Sequence, residues 1–328
     1  MKEDLVALKE IVNPAIYSVI ITVGLLLNGI LIYIFVRHRE IRTPGSAMIL
    51  NLAVSDVLNL GITAPIMCIF HYPHDAPDNI TGCRIFIFFR QFTTSLSALS
   101  LVGLSIQRFC ITFPELELRF HAIKNTCSAS KLNVIYVSTI WMLSIVFSFP
   151  LILPESVYSF LCGRSEDHIP TSIVLTGFFF VYCMLLPGIM ISLSSFTAER
   201  LRRSVKELPS QCTSSTQLVI RNRSATIVMS LAWMFVLSHL PLWTWAIVTY
   251  WAKVNRESSS VIISEYIFKY LLFLDSCLNP IAMYLSSGTL RKLVNRCVHC
   301  EPGGIQDVQS VNTSVSSSSK QLSLSSNV

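Results

Sequence analysis

The chain of 328 residues is 52% hydrophobic and only 13% charged, with a mean hydropathy of +0.57. Because soluble domains carry about 25% charged residues, this composition excludes a disordered chain and argues against a soluble enzyme. The net charge is +6, and no nucleic-acid partner is expected. Among the ten cysteines, Cys297 and Cys300 form a C-x-x-C pair, which alone is a weak signal for a metal or redox site.

Seven apolar stretches separate the polar connections, and each is long enough to cross a bilayer as a helix of about 20 residues. They predict an all-α membrane protein, a bundle of seven transmembrane helices within residues 14–286. Prolines fall inside several stretches, where neighbouring helices satisfy the freed carbonyl groups, so we expect kinks and not breaks. These prolines are Pro65, Pro187, Pro241 and Pro280. The stretches are residues 14–36, 47–70, 83–113, 132–153, 172–196, 226–250 and 261–285.

Basic residues concentrate on one side of the predicted membrane. The connections after the first, third and fifth stretches and the chain after the seventh, together with Arg108 near the end of the third stretch, hold 17 of the 25 Lys and Arg residues. By the positive-inside rule these segments are cytoplasmic, so residues 1–13 are expected outside the cell and the C-terminus inside. The sequence therefore predicts a multi-pass protein of the plasma membrane.

The chain after the seventh stretch divides into two parts. Residues 287–300 mix apolar and basic side chains in the pattern of an amphipathic helix that lies on the inner membrane surface. Cys297 and Cys300 are either palmitoylated there or remain free thiols. Residues 301–328 have too few apolar side chains to form a core and are predicted to be disordered. The serines of this tail are either phosphorylation sites that recruit arrestin or an inert polar segment.

Polar and ionisable residues inside the apolar stretches are costly in a membrane and normally face the interior of the bundle. Their identities resemble the signature residues of rhodopsin-like (class A) G-protein-coupled receptors, and the match touches all seven stretches in order. Arg108 also follows Cys83 by 25 positions, as in that family. The matching residues are Asn28, the run Leu52-Ala53-Val54-Ser55-Asp56, Arg108, Trp141, Pro187, Pro241 and the pair Asn279-Pro280.

The run from Ser276 to Tyr284 looks most like the peptide-receptor branch that includes endothelin-type and bombesin-type receptors. The resemblance implies a receptor, not an enzyme, that passes an extracellular signal to a heterotrimeric G protein. It also implies a disulfide bond between Cys83 and Cys162 over the mouth of the bundle. Asn79 begins a glycosylation sequon on the same side, although it lies close to the membrane.

The resemblance places a ligand pocket at the outer end of the bundle. Receptors for amines have an aspartate at the position of Arg90, and an arginine there repels an ammonium group. We therefore expect an anionic ligand group, such as a peptide carboxylate, with Lys269 as a second cation. Alternatively, Arg90 extends to the outer headgroups and Lys269 pairs with Glu265. The expected pocket residues are Arg90, Gln91, Thr94, His239, Trp243 and Lys269, with Trp245 as a further neighbour.

A second set of residues matches the sodium site that the family has in mid-membrane. Asp56 provides a carboxylate and its neighbours provide neutral oxygens, which together suit a small hard cation. Asp56 therefore either binds Na⁺ or holds a proton, and Asp275 adds a second acid nearby. No other cofactor is expected. The set comprises Asn28, Asp56, Ser97, Ser276 and Asn279.

The residues that switch the family between its inactive and active states are altered here. Gln107 replaces the acidic residue before Arg108, and the base of the predicted sixth helix, just before the sixth stretch, has Arg221 and Arg223 in place of a glutamate. Loss of these ionic partners predicts basal signalling, because an interaction of the inactive state is missing. Other switch positions keep Phe235, Pro241 and Pro280 but have His239, Met283 and Ser195 where the family has Trp, Tyr and Tyr, with Tyr284 following Met283.

The altered aromatic positions predict the opposite, a weak or silent receptor, and the sequence does not choose between the two. One rival function is an atypical receptor, or a partner of another receptor, that does not couple to G proteins. The second rival is an ion or proton transporter that uses Asp56, Asp275 and His239. Against the transporter, the two halves of the sequence show no evident inverted repeat.

Overall fold

Seven long helices dominate the computed structural model. The structure describes residues 6–38, 44–69, 80–112, 129–153, 169–207, 215–252, 254, 258–286, 290–291 and 293–295. No strand occurs within these ranges. In hydrocarbon every backbone N–H and C=O must be bonded within the protein, and a helix achieves this inside a single segment. The expected all-α fold is therefore confirmed.

Each helix extends beyond the apolar stretch that predicted it, or ends within two residues of it. The helices, numbered in chain order, are α1 (Leu8–Val12 and Asn13–Arg37), α2 (Pro44–Leu58, Asn59–Thr63 and Ala64–Ile69), α3 (Ile80–Thr112), α4 (Ala129–Ser148, then a 3₁₀ turn Phe149–Leu151), α5 (Ile169–Phe179, Phe180–Leu185 and Leu186–Glu207), α6 (Ser215–Trp251) and α7 (Ser259–Ser286).

Six of the helices, α1 to α6, are long and apolar enough to cross a membrane. The seventh, α7, has 28 residues and includes Glu265, Lys269 and Asp275. Lys269 and Asp275 are buried and Glu265 is half-buried, as expected for ionisable groups that face the interior of a membrane bundle. Its charges therefore do not argue against α7 as the seventh span.

Six of the helices form a closed ring in the order α1, α2, α3, α5, α6 and α7, and α4 packs against α2 and α3. Each helix packs on the next along the chain, except that α5 packs on α3 instead of α4, and α7 closes the ring against α1. Two hydrogen bonds join α7 to α1. Tyr270 Oη donates to Asn13 Oδ1 at 2.8 Å, and Asn28 Nδ2 donates to the backbone oxygen of Ser276 at 2.8 Å. The seven helices therefore enclose a common interior.

The bundle places polar side chains inside and apolar side chains outside. Asn28, Asp56 and Asn279 are buried, whereas Leu26 and Leu237 are more than half exposed. Soluble proteins normally show the reverse arrangement. An apolar outer surface of this kind is suited to lipid tails.

Three prolines are each preceded by a π-helical turn. The turns Leu8–Val12, Asn59–Thr63 and Phe180–Leu185 lie just before Pro14, Pro65 and Pro187. Proline lacks an N–H and clashes with the carbonyl four residues earlier, and a π turn moves that carbonyl to a different partner. Pro241 and Pro280 lie inside continuous helices. The prolines therefore do not break the helices, as the sequence predicts.

The chain beyond Ser287 forms a separate unit, residues 288–328. Within it the structure describes residues 290–291 and 293–295, all of them helical. The amphipathic helix over residues 287–300 and the disordered tail over residues 301–328 stay predictions. Cys297 and Cys300 lie outside the described residues.

Gly24 permits the close approach of α1 to α2 and α7. A Cβ atom at Gly24 would overlap Leu60 Cδ1 and would lie 2.8 Å from Cys277 Sγ, and both residues are buried. Overpacking of this kind costs about 1–3 kcal/mol. We expect Gly24→Ala to lower the melting temperature by several degrees, measured as the heat-dependent loss of the monomer peak in size-exclusion chromatography of the detergent-solubilised chain.

Gly29 provides the matched control, because a Cβ atom there would meet nothing within 4 Å. Gly29→Ala is expected to leave the melting temperature unchanged or slightly raised, since alanine favours the helix. Equal melting temperatures for the two variants would contradict the close approach at Gly24.

Candidate functional site

A buried network of polar side chains joins α2, α3 and α7 at the middle of the bundle. Asn279 Nδ2 donates to Asp56 Oδ2 at 3.0 Å, and Asn59 Nδ2 donates to Ser276 Oγ at 3.3 Å. Thr93 Oγ1 then donates to Asn59 Oδ1 at 3.4 Å. The structure thus brings together Asp56, Ser276 and Asn279 from the predicted sodium set and adds Asn59 and Thr93.

Several oxygen atoms of the predicted sodium set and of Asp275 are buried and have no hydrogen-bond partner among the described residues. They are Asn28 Oδ1, Ser97 Oγ, Asp275 Oδ1 and Asn279 Oδ1. Because Asn279 bonds to Asp56 through its nitrogen, its bare oxygen lies beside the same carboxylate. Unsatisfied buried acceptors are costly unless a donor or a cation reaches them. One carboxylate with neutral oxygens around it is a ligand set for a small hard cation.

A second polar cluster ties α2, α3 and α4 together. Asn51 Nδ2 donates to Ser100 Oγ at 2.7 Å, and Trp141 Nε1 donates to Asn51 Oδ1 at 2.8 Å. Ser55, one turn further along α2, donates through Oγ to the backbone oxygen of Thr93 at 3.1 Å. Asn51, Ser55 and Asn59 thus form a polar stripe at four-residue spacing along the face of α2 that packs on α3.

At the Cys83 end of the bundle, Cys83 is buried and takes part in a disulfide bond. The predicted partner, Cys162, lies outside the described residues, so the pairing stays a prediction. Asn79, the predicted glycosylation site, also lies outside them.

Two cationic side chains come together below Cys83. Lys269 is only 5% exposed, and its Nζ lies 3.1 Å from Glu265 Oε1 and 5.6 Å from the centre of the Tyr266 ring. Arg90 is close enough to repel Lys269 electrostatically. The structure therefore shows the Lys269–Glu265 ion pair that was one of the two alternatives, and it brings Arg90 to the same region.

The other predicted pocket residues lie on α3 and α6. Gln91 is buried, and its Nε2 donates to Ser95 Oγ at 3.4 Å, whereas Thr94 bonds to the backbone oxygen of Arg90 at 3.0 Å. His239 is buried and stacks on Phe235, with ring centres 3.9 Å apart. Its Nδ1 lies 3.0 Å from the backbone oxygen of Phe235, which can only accept, so Nδ1 carries a proton in that hydrogen bond.

Trp243 is buried against α5. Its ring lies 5.9 Å from that of Phe178 and 6.0 Å from that of Tyr182. Trp245 instead makes an edge contact with Phe268 of α7, at 5.7 Å between ring centres. The two tryptophans therefore connect α6 to different neighbours.

At the opposite end of α3, no ion pair engages Arg108 within the described part of the chain. Arg108 Nε is buried and has no hydrogen-bond partner there, and the same is true of Gln107 Oε1. The helix of α6 includes Arg221 and Arg223, but the structure does not describe their side chains. The loss of the ionic contact at Arg108 therefore stays a prediction.

The remaining switch residues occupy the interior in part. Phe235 is fully buried, Met283 and Pro280 are buried, and Tyr284 is half-buried. Ser195, at the family's tyrosine position in α5, is exposed. Met283 is therefore buried at the position where the family has a tyrosine, and Tyr284, the next residue, is only half-buried.

Sequence reasoning did not single out Asn51, Asn59, Ser95 or Tyr182. The four-residue spacing of Asn51, Ser55 and Asn59 was a readable signal for a polar helix face. Tyr182 gave no such signal, because it stands alone in an apolar run and its partner, Ser95, is one of several serines on α3.

The arrangement described so far is a lipid-suited helical bundle with a polar interior that extends along α3 from the Cys83 end to Arg108. The profile of the family described as "7 transmembrane receptor (rhodopsin family)" matches residues 27–283, and the chain belongs to this family of G-protein-coupled receptors. It is accordingly a multi-pass membrane protein. Membership in a family of receptors also agrees with the expectation that the chain is not an enzyme.

The individual relatives are receptors of peptides. Bombesin receptor subtype-3 from Ovis aries is 27% identical over 316 residues, which cover 90% of this chain and 77% of that receptor. The [Phe13]-bombesin receptor from Bombina orientalis is 28% identical over 305 residues, or 87% and 75% of the two chains. The neuropeptide CCHamide-1 receptor from Drosophila melanogaster is 24% identical over 304 residues, or 88% and 60%. The expected resemblance to the peptide-receptor branch is confirmed.

Proposed function

We propose that this receptor binds a peptide at the Cys83 end of the bundle and activates a heterotrimeric G protein at the Arg108 end. The observation that carries the proposal is the continuous polar interior along α3, between Arg90 and Arg108, within a bundle of the rhodopsin family. The names of the three relatives, two bombesin receptors and a neuropeptide receptor, support a peptide as the ligand.

The orientation follows from charge. The basic residues on the Arg108 side place that side in the cytoplasm and the Cys83 side outside the cell. The G protein then docks against Arg108 and the basic connection between α5 and α6. A plasma-membrane location, contact of the basic segments with anionic lipid, and arrestin binding by the serine-rich tail complete the proposal.

The ligand carries an anionic group, such as a free C-terminal carboxylate. Two of the three charged side chains Arg90, Lys269 and Glu265 are cationic and one is anionic, so these three together carry one net positive charge. A guanidinium forms two parallel hydrogen bonds with a carboxylate, which makes Arg90 the better anchor of the two cations.

A sodium ion at Asp56 regulates the receptor. Support comes from the buried oxygens of this residue set that have no partner in the described part of the chain, because a cation binds several oxygens at once, whereas a proton on Asp56 provides a single donor. Asp56, Asn279, Ser97 and Ser276 supply the oxygens, and Asn28 adds another beside Ser276.

Because Gln107 replaces the family's acidic residue before Arg108, we propose basal activity. An ion pair between Arg108 and a neighbouring acid stabilises the inactive state, so Gln107→Asp is expected to lower ligand-free signalling about fivefold to tenfold, which corresponds to about 1–1.4 kcal/mol. Arg108→Ala removes the proposed contact with the G protein and is expected to abolish the signal. The measurement is ligand-free G-protein activation in cells at matched surface expression.

Glu10→Ala is the control for this pair of variants, since Glu10 is exposed near the start of α1, at the end of the bundle opposite to Arg108. It should signal like the unmodified chain. No signal from any form, or a signal that does not depend on Arg108, would contradict G-protein coupling and favour the atypical receptor.

For the ligand, we expect peptides that bind to do so more tightly as free acids than as C-terminal amides. A charge-assisted hydrogen bond contributes about 1.5–3 kcal/mol, which predicts at least a tenfold preference. A peptide panel synthesised in both forms measures it. Arg90→Gln is expected to remove the preference, whereas the exposed-site control Arg203→Gln keeps it. Equal affinity of both forms for the unmodified chain would refute the carboxylate.

For sodium, we expect the purified chain to melt at a higher temperature in sodium chloride than in N-methylglucamine chloride. A ligand that binds only the folded state stabilises that state, and the stabilisation grows with the logarithm of the ligand concentration once this exceeds the dissociation constant. Asp56→Asn should remove the difference, and Glu199→Gln, which alters an exposed carboxylate, should keep it. A melting temperature that is indifferent to sodium would show that Asp56 is neutralised by a proton.

A further inference from the structure

Three aromatic rings from α5 and α6 pack together above Pro241. Phe178, Tyr182 and Trp243 have ring centres 5.8, 5.9 and 6.0 Å apart, and their planes agree within 9°. The three centres therefore form a nearly equilateral triangle of parallel, offset rings. All three side chains are buried, so any displacement of α6 at this level must separate Trp243 from α5.

A hydrogen bond ties this aromatic triad, defined as Phe178, Tyr182 and Trp243, to α3. Ser95 Oγ lies 2.5 Å from Tyr182 Oη, and Ser95 also receives the Nε2 hydrogen of Gln91 at 3.4 Å. Ser95 Oγ is in addition 2.8 Å from the backbone oxygen of Gln91. The phenol is thus held by α3 while its ring faces Trp243.

The local fold explains why Tyr182 reaches both neighbours. Tyr182 lies within the π turn Phe180–Leu185, which precedes Pro187. One additional residue in a helical turn rotates the following side chains by about 100°, since an α-helix has 3.6 residues per turn. The proline and the π turn together therefore determine which side chain of α5 faces α3 and α6.

Packing alone does not require the hydroxyl group. A phenylalanine at position 182 would make the same ring contacts, and a buried hydroxyl is costly unless it is bonded. The bond to Ser95 fixes the position of the ring against Trp243, which stands two residues after the proline inside α6. Through Tyr182 and Trp243, this bond therefore links α3 to α6.

We propose that Tyr182 and Ser95 are positioning residues that hold α6 in its resting state through Trp243. A ligand favours the active state when it separates the aromatic triad or draws Tyr182 away from Ser95. The inference rests on the proposed function, in which α6 moves away from α3 at the Arg108 end to admit a G protein.

The test measures the distance between α4 and α6 in the full chain in lipid nanodiscs, by electron paramagnetic resonance. Non-natural amino acids carry the spin labels at Val134 and Trp233, both exposed, so the native cysteines do not interfere. The variants are Tyr182→Phe, Ser95→Ala and the double variant. Tyr17→Phe is the matched control, because Tyr17 is buried and its hydroxyl has no partner in the described structure.

We expect Tyr182→Phe to increase the fraction of molecules with the longer distance about fivefold, the change that corresponds to the net loss of one hydrogen bond. Ser95→Ala should give a similar increase, and the double variant should exceed neither, because both changes remove the same bond. Tyr17→Phe should match the unmodified chain. If Tyr182→Phe fails to fold, Ser95→Ala, which leaves all three rings intact, carries the test.

An unchanged distance distribution in Tyr182→Phe and Ser95→Ala, even with lower melting temperatures, would overturn the inference and leave a merely structural bond. Additive effects in the double variant would overturn it too. Addition of a G protein separates the two proposals. If the G protein lengthens the distance in the unmodified chain, but the substitutions alone do not lengthen it, only the inference fails. If neither the G protein nor any substitution changes the distance, both proposals fail.

Discussion

The hydrocarbon core of a membrane offers no hydrogen bonds, and this single constraint organises the bundle. Polar side chains are turned inward, where they can bond only to one another. Asn28, Asn51, Asp56 and Asn279 each bond to a residue of another helix. Polar contacts therefore join the helices, and the same contacts form the internal sites on which the function depends.

The restraints on α6 differ between its two ends. At the Arg108 end, Gln107 stands where the family has an acid, so the proposal of basal activity assigns no ionic restraint to that end. At the ligand end, Trp243 packs on Tyr182, and Tyr182 bonds to Ser95 of α3. Under the proposals made above, the resting state depends mainly on the ligand end, where a peptide acts directly. Basal activity and ligand control are then compatible, because the restraint is weak but lies where the ligand binds.

The replacements at the switch positions fit the same interior. His239 stacks on Phe235 and bonds to its backbone oxygen, so it occupies the family's tryptophan position without an unsatisfied polar group. Ser238 is close to Asp275 of α7, and Asp275 interacts with Asp56. The altered residues thus extend the polar network from α2 and α7 toward α6.

Much of the fold was readable from the sequence. The seven apolar stretches and the inward direction of Asn28, Asp56 and Asn279 follow from hydropathy and from the cost of polar groups in lipid. The pairing of Ser95 with Tyr182 could not be predicted from the sequence, because it depends on the π turn before Pro187. Hydropathy carries no information about a rotation inside a helix. The sequence also did not decide whether Lys269 binds a ligand or forms an ion pair with Glu265, since four-residue spacing permits an ion pair but does not require it.

The central claim is that the chain itself catalyses nucleotide exchange on a G protein that docks against Arg108. The most direct measurement is GTP uptake by purified heterotrimers of each Gα class, mixed with the chain in nanodiscs without any ligand. The account predicts uptake faster than with empty nanodiscs for at least one class. Uptake equal to that of empty nanodiscs for every class, with a folded and monodisperse chain, would contradict it.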